Sequence, residues 1–498
     1  MSGGLSRATV GLRFEFIHNV PDGTMLPRSS RSTTSGPDGN RRTSRRHFLE
    51  CSLLAGGVGL SLADVLRLQA GAASPQSQPP GTAVIQIWLG GGPSQFETFD
   101  PKPEASREIR GPYKAIGTKL PGVLFCETMP LTAQVVDRAA IIRTVRHSTN
   151  GHFVGAHWCV TGYPGTGGVP TRPSNGSIVS HFRGPNEPGL PAYVLISEEQ
   201  TRNPNIGAVT GPAYLGVQHS PFTVKQDPFT HAYRSEKIHD ATTSLTLADD
   251  VTLDRVNDRR SLLTKLDRLA RRAEAAGAID GADRFQQAAL DMLIKGKAQR
   301  AFDLSQESAS TRELYGPHRW GQMALLARRL VEAGVTFVTI STAPDSLCWD
   351  WHLNIVNDNR PADGSLGPSR GMDLSGPPLD RMLSALVTDL YARGLDKKVM
   401  LIVWGEFGRT PRMNKTGGRD HWGALMSILV AGGGVKVGQV IGASNNKGEV
   451  PIDRPVSPGD VLATMYRHLG IDPALYTYDN SGRPTPVLPE GKPISELI

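Results

Sequence analysis

Asp350 and His352 stand two residues apart in Trp349-Asp350-Trp351-His352, and a further imidazole, His421, sits in Arg419-Asp420-His421-Trp422. In an extended segment, residues i and i+2 point the same way, so Asp350 and His352 suit two ligand positions on one divalent ion. His421 from another loop makes three protein ligands and leaves a position open for substrate, the arrangement of catalytic zinc. Glu406, in Gly405-Glu406-Phe407-Gly408-Arg409-Thr410-Pro411, is a fourth candidate, as a ligand or a general base. Its structural alternatives are a helix N-cap or an ion pair with Arg409. Arg409 and Arg419 carry the planar fork that holds an anionic ester, unless they pair with Glu406 or Asp420.

Three hydroxyls compete as nucleophile. Ser94 follows Gly90-Gly91-Gly92-Pro93, a loop whose main-chain N–H groups suit an anion. That loop lacks the Gly-Lys-Ser/Thr ending of a nucleotide loop and the Gly-x-Gly-x-x-Gly spacing of a dinucleotide fold. Ser148 and Thr149 lie in Arg146-His147-Ser148-Thr149-Asn150-Gly151-His152, with His157 following on a short helix. His152 is open to ligation or substrate contact, while some of these imidazoles serve as hydrogen-bonded structure. Gly-x-Ser-x-Gly is missing at the strand ends, which argues against an α/β-hydrolase elbow.

The elements that must position these groups are buried strands. Short apolar runs at 84–89, 139–142, 192–196, 336–340, 399–404 and 426–430 read as strands. Helical stretches separate several of them. Within 320–340, Met323, Leu326, Ala327, Leu330 and Val331 recur at helix spacing before Gly334 stops the helix and a β-branched strand begins. Residues 379–391 repeat the device with Leu383, Leu386, Val387 and Leu390. Alternation of this kind implies an α/β domain with a mostly parallel sheet covered on both faces. In such sheets ligands bind at the carboxyl ends of strands, where the polar clusters fall. Residues 249–305 read as a helical excursion with a solvated charged face, and 160–235, rich in Gly, Pro, Asn and Thr, as a loop region over the site.

The charge balance is concentrated at the start of the chain. Residues 1–73 hold nine Arg against five acids, leaving about +3 of the net +7 for the remainder. Without long Lys/Arg runs or interleaved aromatics there, no nucleic-acid partner is expected. Ser44-Arg45-Arg46-His47-Phe48-Leu49 precedes an apolar stretch at 51–66 and small residues at 70–73. The paired arginines make this an export signal of the twin-arginine type, with the twin-arginine translocase as partner and the periplasm or exterior as destination. Translation begins at Met1 or Met25, residues 74–81 form a linker, and 82–498 form the domain. No stable membrane span is expected after cleavage. The remaining Cys126, Cys159 and Cys348 allow at most one bridge.

Four segments, 91–103, 349–352, 405–411 and 418–422, together with the tail from Arg454-Pro455-Val456-Ser457-Pro458 to Leu469-Gly470-Ile471-Asp472, resemble the exported family called domain of unknown function 1501. That family is similar in fold to alkaline phosphatases and sulfatases. The resemblance implies a three-layer alkaline phosphatase-like α/β fold and metal-assisted cleavage of phosphate or sulfate esters, with zinc the first choice of divalent metal. It implies that Asp350, His352 and His421 ligate one metal and that Glu406 replaces an Asp on a second. Gly90 to Gly92 stand where the superfamily has an Asp, so a second metal would need Glu97 or Asp100, and Glu406-Phe407 stands where it has Asp-His. No formylglycine motif of the Cys/Ser-x-Pro-x-Arg kind occurs, which favours a phosphoesterase-like activity. The expected substrate is a small-molecule or glycan ester. A catalytically weakened module binding a glycan or a partner protein is the rival reading, and a nucleic-acid phosphodiesterase is a third.

Overall fold

The apolar runs become the strands of one sheet in the computed structural model, which describes residues 81–165, 171–197, 209–224, 297–342, 349–356 and 371–498. In chain order they are β1 (Ala83–Trp88), β2 (Ala139–Val145), β3 (Tyr193–Ile196), β4 (Phe222–Val224), β5 (Phe337–Ser341), β6 (Val399–Trp404), β7 (Met426–Gly432) and β8 (Gln439–Ile441). Their spatial order is β8-β2-β7-β6-β1-β5-β3-β4. Every neighbouring pair is parallel except those made by β7, which runs against both β2 and β6.

Among the described residues the longer helices that flank the sheet are α1 (His152–Thr161), α2 (Asn175–Phe182), α3 (Arg319–Ala333), α4 (Met372–Ala392) and α5 (Pro458–His468). The pleat of β1 assigns them to layers. Ala83, Ile85 and Ile87 pack in one apolar cluster with Leu326 and Leu330 of α3 and Leu383 and Leu386 of α4. Val84 and Trp88 face the other way, among Ala156 of α1, Ile178 of α2 and Leu462 of α5. Two-sided burial is why these strands read as continuous apolar runs rather than alternating ones. The result is the expected three-layer α/β fold with a mostly parallel sheet.

The structure differs from the sequence reading in three respects. The loop-rich region 160–235 contains α2, started by the Ser174 side chain accepting from the Ser177 amide, and the edge strand β4. Helix α4 begins at Met372, with Pro377 and Pro378 inside it. Those prolines lack the N–H groups that would bond the carbonyls of Asp373 and Leu374, and both residues are exposed, so water can take the freed acceptors. The third difference is that β7 is antiparallel. Because it is, the residues before β7 lie at the same sheet edge as the residues after β1, β2, β5 and β6.

The leader, the linker up to residue 80, Cys348 and most of the expected excursion lie outside the described residues; of the excursion, the helix Lys297–Phe302 is described. Among the described residues no helix is long and apolar enough to cross a membrane. Cys126 and Cys159 are buried free thiols.

Candidate metal centre

Five chain segments meet at that edge. After β1 the chain turns through Gly91, whose φ of +105° suits glycine, and a Cβ there would come within 2.6 Å of the Asp350 amide nitrogen. Gly90 accepts a bond from the Trp349 amide at 3.0 Å, which hangs the Asp350 segment beside the glycine loop. Trp349 and Trp351 are fully buried, and Trp349 stacks on Trp320 at 5.7 Å between ring centroids. The alternation predicted for Trp-Asp-Trp-His therefore holds: the indoles anchor the segment in the core while Asp350 and His352 share the other side. A two-residue antiparallel pair, Gly408–Arg409 with His421–Trp422, brings His421 in from the far side. The loop after β2 delivers His152 as the first residue of α1.

Three imidazoles converge on the Asp350 carboxylate through the same ring atom. His352 Nε2 lies 2.9 Å and His421 Nε2 3.0 Å from Oδ1, and His152 Nε2 lies 3.5 Å from Oδ2. Each ring is fixed from behind by its other nitrogen. Nδ1–H of His152 donates to Glu406 Oε1 at 2.7 Å, that of His352 to Asp420 Oδ1 at 2.9 Å, and that of His421 to the Asn150 carbonyl at 2.8 Å. His152, Asp350 and His421 each offer a ligand atom within 4.8 Å of the others. His352 Nε2 lies 2.8 Å from His421 Nε2. Two nitrogen lone pairs at that separation repel, so either a proton on one ring or a shared cation must lie between them. Phe407 packs under two of the rings, with centroids 5.1 Å from His152 and 4.5 Å from His421.

Electrostatics follow from this crowding. Burial opposes ionisation of Asp350, yet hydrogen bonds from His152, His352 and His421 and the charge of Arg409 hold its carboxyl far below the usual carboxylate range. Burial also disfavours the charged form of His152, but its bonds to Asp350 and Glu406 prevail and raise it to about 9. The Asp350 hydrogen bond raises His352, whereas burial, assisted by Arg409 and His152, lowers His421.

Several candidates fall elsewhere. Arg409 is fully buried; it donates to the carbonyls of Gly92 at 2.8 Å, Arg419 at 2.9 Å and Trp349 at 3.1 Å, to that of Gly91, and to Asp350 Oδ1 at 2.7 Å. It is a clamp on the site's backbone with no surface for a substrate anion, which corrects its reading as an ester-binding arginine. Arg419, also fully buried, pairs with Glu97 at 2.9 Å. Ser94 is sealed in the interior with its hydroxyl on Glu97, so it is no accessible nucleophile. Asp100 is taken by Lys102, Arg143 and Ser444. The carboxylates named for a second metal are thus committed to the fold.

Glu406 reaches the ligand cluster only through His152, its Oε1 also accepting from the Gly91 amide at 2.8 Å. Ser148 is exposed and Thr149 half-buried on the loop that continues into His152, where the Thr149 hydroxyl accepts from the Gly151 amide. His147, buried against Trp158, bonds the Glu406 carbonyl and accepts from the Thr149 amide, and is structural. His152 is the ligand-type residue that the spacing argument left open, since a lone imidazole at a helix start has no partner at fixed spacing in the sequence.

No curated protein is significantly similar in sequence. Among solved structures the chain is similar to Ps i-CgsB, at 10% identity over 78% of this chain and 72% of that one, with a TM-score of 0.34. It is similar to PsFucS1 sulfatase from Pseudoalteromonas sp., at 13% identity over 82% and 70%, TM-score 0.32. It is also similar to the alkaline phosphatase of the Antarctic bacterium TAB5, at 12% identity over 74% and 95%, TM-score 0.28. The model of the family described as protein of unknown function (DUF1501) matches residues 81–498, and the chain belongs to that family.

Proposed function

We propose that the chain is a metal-dependent hydrolase of phosphate or sulfate esters, exported through its twin-arginine leader to the periplasm or exterior. The observation that carries this reading is the common orientation of His152, His352 and His421, each with Nδ1–H tied to an oxygen and Nε2 directed at Asp350; of these, His152 and His421 form the compact ligand group with Asp350. A neutral imidazole so tied has its lone pair on Nε2, the state a metal ligand needs. Imidazole with carboxylate suits zinc before the harder cations. Such an ion, when bound, polarises the ester oxygen and lowers the pKa of a water or hydroxyl.

The protein's own groups do the rest. Asp350 draws the imidazoles together and balances Arg409. Phe407 walls the rings on one side. The nucleophile in this reading is Ser148 or Thr149, on the loop that continues into His152. Elemental analysis of the purified protein, beside turnover of p-nitrophenyl phosphate and p-nitrophenyl sulfate, tests the proposal. The expected result is bound zinc with hydrolysis of at least one ester, both lost in His421→Ala.

One observation favours a second reading, a catalytically weakened module that binds a glycan or a partner protein. Arg409 and Arg419 are both consumed by the fold, which leaves neither of them to neutralise a transferring group. Absence of both metal and turnover would favour that module.

A further inference from the structure

We infer that Glu406 is a positioning residue, which fixes the ring of His152 from behind and does not itself bind the metal; the inference rests on the metal reading above. Glu406 Oε1 is already shared by two donors, the His152 Nδ1–H at 2.7 Å and the Gly91 N–H at 2.8 Å. With Nδ1–H held by Glu406, the proton that His152 gives up to a metal is the one on Nε2, which leaves its lone pair on the side toward Asp350. Glu406 is itself immobile. It is 1% exposed, its main-chain carbonyl accepts from His147 Nε2, and the Cys159 thiol lies 3.8 Å from the same oxygen. Helix α1 approaches it closely through Gly155, where a Cβ would stand 3.0 Å from the Glu406 carbonyl oxygen. Ring, carboxylate and amide therefore form one relay from the glycine loop to the ligand atom.

The three anchors differ in exposure. His421 leans on a main-chain carbonyl and His352 on Asp420, whose side chain is 59% exposed. Glu406 is the anchor withdrawn from water, so its hydrogen bond holds His152 without competition from solvent. Its second oxygen, Oε2, is buried with no hydrogen-bond partner. That orphan atom makes the role testable. In Glu406→Gln the amide oxygen keeps both bonds at the Oε1 position, while the NH2 group takes the Oε2 position and displaces no donor. A positioning role survives that exchange, and a metal-binding carboxylate does not.

The test is zinc affinity of the purified full-length chain, by competition with a chromophoric chelator, for the wild type, Glu406→Gln and Glu406→Ala. Thermal unfolding of each metal-free protein monitors the fold. Loss of an outer hydrogen bond to a ligating histidine costs about 10–100-fold in metal affinity. Glu406→Ala is expected to weaken zinc binding by that factor and Glu406→Gln to stay within about threefold of the wild type. In zinc-loaded protein labelled with ¹⁵N-histidine, His152 Nδ1 carries a directly bonded proton in the wild type and in Glu406→Gln. A Glu406→Gln protein that melts normally yet loses zinc as severely as Glu406→Ala overturns the positioning role and leaves the metal reading standing. A wild type that binds no zinc sinks the metal reading, and this inference with it.

Discussion

Asp350→Asn removes one negative charge while preserving the volume of the side chain, and its largest effect is expected on Arg409. That guanidinium is fully buried, and its remaining bonds run to neutral carbonyls. Asp350, 2.7 Å from Nη2, is the carboxylate that compensates it. Removing one partner of a buried ion pair costs about 3–5 kcal/mol. The Asp350 side chain is 12% exposed, and that access to water places the expected loss near about 3 kcal/mol. The assay is urea unfolding of the metal-free wild type and variant, read as a lower midpoint at unchanged slope. Bound metal is expected to fall in the same variant, because the group on which three imidazoles converge has lost its charge. An Asp350→Asn protein within about 0.5 kcal/mol of the wild type would refute charge compensation as the bond between site and scaffold.

Ser94→Ala is expected to lower stability by about 1–2 kcal/mol, since Glu97 loses a buried donor, and to leave kcat on an ester substrate unchanged; a kcat collapse would restore Ser94 as nucleophile. Gly91→Ala forces a Cβ onto a backbone at φ +105° and into the Asp350 amide, with an expected cost of about 2 kcal/mol or more and weaker zinc binding by titration. His318 caps α3 by accepting from the Gly321 amide, and burial, aided by Arg381, lowers its pKa to about 4. The unfolded chain then binds the proton first, so stability is complete above about pH 6.5 and declines by up to about 3 kcal/mol as pH falls toward 4. His318→Asn retains a capping oxygen without a titrating group and is expected to flatten that part of the pH–stability profile; an unchanged slope would refute the assignment.

The fold was legible where burial on two faces left an uninterrupted apolar run, as in Val84 to Leu89 and Val399 to Trp404. It was not legible at the sheet's edges. β4 and β8 are three residues each, too short to show any period, and they owe their pairing to their neighbours. Pro377 and Pro378 hid the first turns of α4, because their cost is relieved by solvent that the sequence does not display. Asp350, His352 and His421 could be chosen because strand ends are where polar residues collect. His421 precedes its strand, and it reaches the shared edge only because β7 runs in reverse.

The arginines show what spacing does not carry. Loops that leave a sheet edge expose main-chain carbonyls with no ladder partner, and buried ones require donors. Here Gly91, Gly92, Trp349 and Arg419 present such carbonyls from three separate segments, and one guanidinium, with five donors in a rigid plane, satisfies all four. An arginine buried in that role brings a charge that must be compensated. Asp350 meets that need and, with the same carboxylate, receives the imidazoles. The guanidinium that locks the loops and the carboxylate that gathers the ligands are bound to each other, so the site's geometry is set before any ligand arrives. In the sequence, Arg409 beside Glu406 reads as an ion pair or an anion hook, because the acceptors that claim it are backbone oxygens, which every residue possesses.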